Sequence, residues 1–203
     1  MSGQKALKKY TVTGIADVLG CFGVPTGTAM QIYQDILDKR AQDAMEILFS
    51  EIRQGDFSDV DQNDAVSIIA RFQRDAMEGV AQNNLRLMAR VINGMAEKKA
   101  LKAPSFLKYA NIIASLTEDE IMVLGTMIQL KRHDSNIDRN RLKGKLHTKG
   151  IQNYEFIQQA LMRTGLVTFD VSAKSTVNIN PYPLSPLMDE ILQYIPDFSG
   201  EAT

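Results

Sequence analysis

Basic residues crowd one stretch of this chain. Lys131, Arg132, Arg139, Arg141, Lys143, Lys145 and Lys149 face only Asp134 and Asp138, a net +5 within nineteen residues. Such a run can neutralise phosphates and release their counterions, so it is a candidate nucleic-acid strip. A solvated loop and short helix would carry the same charges. The following segment, 152–164, would be the groove-reading helix. Gln158, Gln159 and Arg163 are its candidate contacts, with Gln152 and Asn153 at its start. Gln and Asn match adenine edges. Glu155 stands against this reading, and residues 150–203 carry two basic and six acidic side chains, a net −4. The candidate nucleic-acid contacts are therefore Arg139, Arg141, Lys143, Lys145, Lys149, Gln158, Gln159 and Arg163, and the expected wing tip adds only Lys174.

Other chemistry finds less support. "DVDQND" puts Asp59, Asp61 and Asn63 at the first, third and fifth positions of a calcium loop. The sixth position needs Gly and holds Asp64; the twelfth needs a bidentate Glu and holds Ala70. The stretch reads instead as a helix start capped by Asp59 or Asp61. His133 and His147, the two histidines, lie fourteen apart with no Cys nearby, which is not zinc spacing. Cys21, among Leu19, Phe22 and Val24, reads as a small buried apolar residue. "GVPTGTA" lacks the Gly-Lys-Ser/Thr ending of a phosphate loop. The expectation is a non-enzymatic chain with no cofactor and no metal.

Bulk properties narrow the class. The 203 residues are 44% hydrophobic and 23% charged, with a net charge of −1, so any phosphate-binding surface must be local. A single Cys suggests a reducing compartment. Lys5, Lys8 and Lys9 before "YTVTGIADVLGCFGV" imitate a signal peptide, but Asp17 interrupts the apolar run. No run approaches the ~18 apolar residues of a membrane span, so the chain is expected to be cytoplasmic. Gly14, Gly20, Gly23 and Gly27 suggest a tight helical corner rather than a membrane contact.

The elements that must hold these residues are mostly helices. Apolar steps of three and four predict a short helix at 10–22, a long one at about 28–53, and another at 62–99 with a break near Gly79. A further helix starts after Pro104. "TEDE" is a capping box at Thr117 and Glu120 that opens the helix "EDEIMVLGTMIQL". "DRNRLKGKL" predicts a short helix, and "NYEFIQQALMRTG" a longer one closed by Gly165. "LVTFDVS" and "STVNIN" read as two strands joined by "AK", a hairpin. "SPLMDEILQYI" reads as a last helix capped by Ser185 with Pro186 at its first position.

The segments "PSFLKYANIIASLTEDEIMVLGTMI", "ALMRTGLVTFDV" and "YPLSPLMDEIL" resemble the abortive-infection alpha family over the C-terminal half. The resemblance lies in apolar spacing and helix caps. It implies a bacterial or prophage origin and a phage-defence role, and it carries over no catalytic residue.

The expected fold class is mainly α: an N-terminal helical bundle or long helical hairpin over 1–115, then a winged-helix-like α+β domain over 116–203. The leading expectation is an interaction protein that meets a protein partner or itself, as a homodimer through the long N-terminal helices. The alternative is a winged-helix DNA-binding regulator using the 131–149 strip.

Overall fold

A computed structural model describes residues 26–52, 60–133, 137–174 and 179–198. The 10–22 helix with Cys21, residues 23–25 of the "GVPTG" break, Asp59, residues 175–178 of the "STVNIN" run and the tail beyond 198 lie outside the described residues. The elements are α1 (Thr26–Glu51), α2 (Gln62–Met77), α3 (Gln82–Glu97), α4 (Ala103–Ala114), α5 (Glu118–Lys131), α6 (Arg139–Thr148), α7 (Tyr154–Leu161), α8 (Val171–Lys174) and α9 (Pro186–Leu192). The molecule is mainly helical, as its periodicity predicts.

Helices α1 to α4 pack together. On α1, Ala44 and Leu48 face the core with Leu37 and Ala41 half-buried behind them, one stripe at steps of three and four. Phe49, which the apolar steps of α1 would equally admit to the core, is 61% exposed because it stands beside this stripe. The inner face of α2 is Ile68, Phe72 and Ala76, whereas Val66 and Ile69 point outward. Apolar steps in the sequence pass through both sets, and only packing separates them.

The 62–99 pattern divides into two helices at Gly79, whose φ of +91° favours glycine. The Gly79 amide bonds to the Ala76 carbonyl, and Val80 to Asp75. Arg40 of α1 donates to the Met77 carbonyl at 3.1 Å, satisfying one open carbonyl at the end of α2. Asp61 caps the start of α2, accepting from Asn63 and Asp64. The acidic loop therefore opens a helix, as its residue types suggest.

Helix α3 is buried on nearly every side, with Met88, Val91 and Met95 at its centre. Its Asn84 donates to the carbonyls of Ile113 and Leu116, closing the end of α4. Gly94 is required at its position because a Cβ there would collide with the Tyr194 carbonyl. The C-terminal segment thus crosses directly over α3.

Helix α5 is the second buried centre, with Ile121, Leu124, Met127 and Ile128 all in the core. The capping box forms as the sequence predicts: Thr117 Oγ1 accepts from the Glu120 amide, and Glu120 Oε2 accepts from the Thr117 amide. Helices α6 and α7 both pack on α5.

The hairpin is the main correction. Among the described residues there is no strand, only two isolated antiparallel bridges, Val167 with Leu184 and Asp138 with Ile179. The supposed turn "AK" lies inside α8, whose first turn is held by Asp170 accepting from Ser172. Residues 166–170 instead run beside 181–185. Thr168 donates to the Pro183 carbonyl, Asp170 to Pro181, and Ser185 to Leu166. Pro181 and Pro183 have no N–H to return, so their pairs with Asp170 and Thr168 carry one bond each. The winged-helix α+β description expected for 116–203 is therefore not what these residues form.

Candidate nucleic-acid interface

Helices α6 and α7 share one open cleft of about 850 Å³, lined by Lys143, His147, Gln152, Asn153, Tyr154, Glu155, Phe156 and Gln159. Asp138 caps α6 by accepting from the Arg141 amide, and Leu142 and Leu146 bury against the core. Those two contacts fix the rotation of α6, which turns Arg141, Lys143 and Lys145 outward. Ile151, Tyr154 and Leu161 do the same for α7.

The predicted contacts separate into distinct environments. Lys143 and Lys145 are exposed on α6, and Lys143 lines the cleft. Arg141 is exposed and Lys149, at the end of α6, is half-buried. Arg139 is committed to Glu155, its Nη2 2.5 Å from Oε1. Gln159 is exposed and donates to the Tyr182 hydroxyl at 3.0 Å.

Two candidates are corrected. Gln158 is fully buried against α5, where its Nε2 lies 3.4 Å from Met127 Sδ and its Oε1 has no protein partner. It cannot reach a base edge from there. The stripe Ile151, Tyr154, Leu161 passes through position 158 at helical steps, so its burial was legible. Arg163 is a brace rather than a contact. Its guanidinium bonds Glu120, which is 3% exposed, as well as the Ser115 and Ala160 carbonyls.

These pairings change the electrostatics expected from sequence. Glu155 does not cancel Arg163, because each is paired elsewhere. The hydrogen bond from Arg139 holds the Glu155 carboxyl below its ordinary range, against a smaller opposing effect of burial. Burial, offset in part by the Arg139 hydrogen bond, raises the neighbouring Tyr154 phenol. Glu155 is the one acid among the cleft-lining residues, and Arg139 neutralises it.

Phe156 had no role in the sequence argument. It is 73% exposed on α7, between the amides of the turn and Gln159. Its signal was the inner stripe of α7, which excludes position 156. His147 lines the same cleft, whereas His133 is exposed just beyond α5. Among the described residues no three His, Cys, Asp or Glu side chains gather as a metal site, and no helix is long and apolar enough to cross a membrane. No family model, curated protein or solved structure matches the chain.

Proposed function

We propose that this chain is a binding module whose α6–α7 face holds duplex nucleic acid. One observation carries the reading. Arg139 takes up the charge of Glu155, so the cleft presents Lys143, His147 and neutral amides with no uncompensated acid. The helix–turn–helix order supports the reading, since the second helix of such a pair enters the major groove. Ile137–Asp138 bridges to 179–180, and 166–170 pairs with 181–185, so the helix pair is tied at its edges to the C-terminal segment. The resemblance to abortive-infection alpha proteins adds a bacterial, phage-defence setting, testable by phage plaque counts on cells expressing the chain.

A titration with random duplex at about 50 and 200 mM salt tests the face. Binding should weaken steeply with salt. Lys143→Gln with Lys145→Gln should flatten the log–log slope by about two, because each phosphate contact contributes roughly 0.9. No binding at the lower salt would overturn the proposal.

A protein-contact reading competes, favoured by exposed Phe49, Val66 and Ile69 on the α1–α2 side. Self-association through these helices would appear as a dimer in sedimentation. The 166–170 segment is less suited to such a contact: Val167 is core, and Phe169 packs on Tyr182 at 5.4 Å between ring centroids.

A further inference from the structure

We infer that the α6–α7 face prefers A·T base pairs, with Phe156 packing on the thymine C5-methyl and Gln159 accepting from the adenine N6 amino group. The inference rests on the nucleic-acid reading above and names the sequence that this face would select.

Phe156 carries the argument. At 73% exposure it contributes little to its own fold, yet a phenyl ring left in water is unfavourable. Apart from the buried Tyr154 and the Arg139-paired Glu155, the side chains that share its cleft are the polar Lys143, His147, Gln152, Asn153 and Gln159. A protein-docking hot spot is normally a larger aromatic or aliphatic cluster. A lone ring among bases and amides instead suits a small apolar target flanked by phosphates. In the major groove the only such target is the thymine methyl.

Gln159 narrows the choice independently. Its Nε2 gives one N–H to the Tyr182 hydroxyl, leaving the second N–H and the amide oxygen, a donor–acceptor pair that matches adenine N7 and N6. The donors in the major groove are adenine N6 and cytosine N4. Only adenine pairs with the base that carries the methyl, so Phe156 and Gln159 select the same base pair. Glu155 would favour cytosine N4, but Arg139 occupies it.

The test is fluorescence anisotropy with the full chain at fixed low salt. Three duplexes are compared: an A·T-rich duplex, the same duplex with every thymine replaced by uracil, and a G·C-rich duplex. The uracil duplex lacks only the methyl groups. The A·T duplex should bind best, with a loss of about fourfold for each contacted methyl removed. Phe156→Ala should bind the thymine and uracil duplexes equally, with the thymine duplex falling toward the affinity of the uracil one. The exposed position lets this variant fold, which circular dichroism verifies. Gln159→Ala should reduce the preference for A·T over G·C. Equal binding of thymine and uracil duplexes by the unaltered chain would overturn the inference while leaving the phosphate-binding face intact. A thymine preference surviving in Phe156→Ala would overturn the assignment to that ring. Failure to bind any of the three would remove the underlying reading as well.

Discussion

Arg163 shows how one residue can be assigned the wrong role by its type alone. A lone base on a would-be recognition helix suggests phosphate or guanine, but its bonds tie α7 to the capping box of α5 and to the end of α4. Arg163→Ala would leave the buried Glu120 carboxylate short of its charged partner. A loss of about 1–3 kcal/mol is expected, because a hydrogen bond to a charged group is broken beside a buried acid. A fall in urea midpoint at unchanged m value would register it, together with faster hydrogen exchange across 118–130. Arg139 and Glu155 lie nearer the surface, so their pairing contributes only about 0.2–1 kcal/mol. Its sign is fixed by the depressed carboxyl. The contribution is present above the unfolded value near ~4.3 and is lost as pH falls through the folded one. Arg139→Gln should move the Glu155 midpoint upward in an NMR titration, and an unmoved midpoint would refute the pairing.

Among the elements, α1 and α2 each carry more apolar residues than one face can bury. The pair Phe72 and Phe49 tests which faces are inside. Phe72 is fully buried, so Phe72→Ala should cost about 3–5 kcal/mol through lost transfer energy and the cavity left behind. Phe49→Ala should change stability by no more than about 0.5 kcal/mol. Equal effects in thermal or urea unfolding would mean that α1 is rotated from the described position. The segment 166–185 teaches a related point. Its residues are β-prone, but the prolines at 181 and 183 remove every second donor, and Asp170 draws the chain into a helical turn. Local capping and missing donors outweighed strand propensity there.

At the scale of the molecule, the C-terminal segment ties the two halves together. Lys108 and Tyr109 of α4 both donate to Glu190 of α9, at 3.2 and 2.5 Å. Burial, with the Glu190 hydrogen bond second, holds the Tyr109 phenol protonated well above its ordinary value. Lys131 pairs with Asp189 at 2.7 Å, Arg132 donates to the Pro196 carbonyl, and the backbone of Tyr194 rests on Gly94. Gly94→Ala must displace this crossing. It should cost about 1–3 kcal/mol by overpacking and speed hydrogen exchange in 186–198 more than in α1. Unchanged exchange in that segment would show that the crossing is not close.

The sequence by itself determined several helix starts and stops, because caps are local chemistry. Thr117 with Glu120, Ser185 with Pro186, Asp61 and Gly165 all act through neighbours within a few residues, and each stands where its type predicts. The same local logic made the basic run on α6 legible. What only the tertiary structure decided was partnership between distant residues. Periodicity admits Val66 and Ile69 as readily as Ile68 to the core face, and the packing of α1, α3 and α4 made the choice. Charge counts treat Glu155 and Arg163 as a cancelling pair, although salt bridges form by proximity in space. Arg139 lies sixteen residues before Glu155, and Glu120 forty-three before Arg163. The acid that argued against a nucleic-acid face is neutralised across two helices, a fact that no linear sum of charges contains.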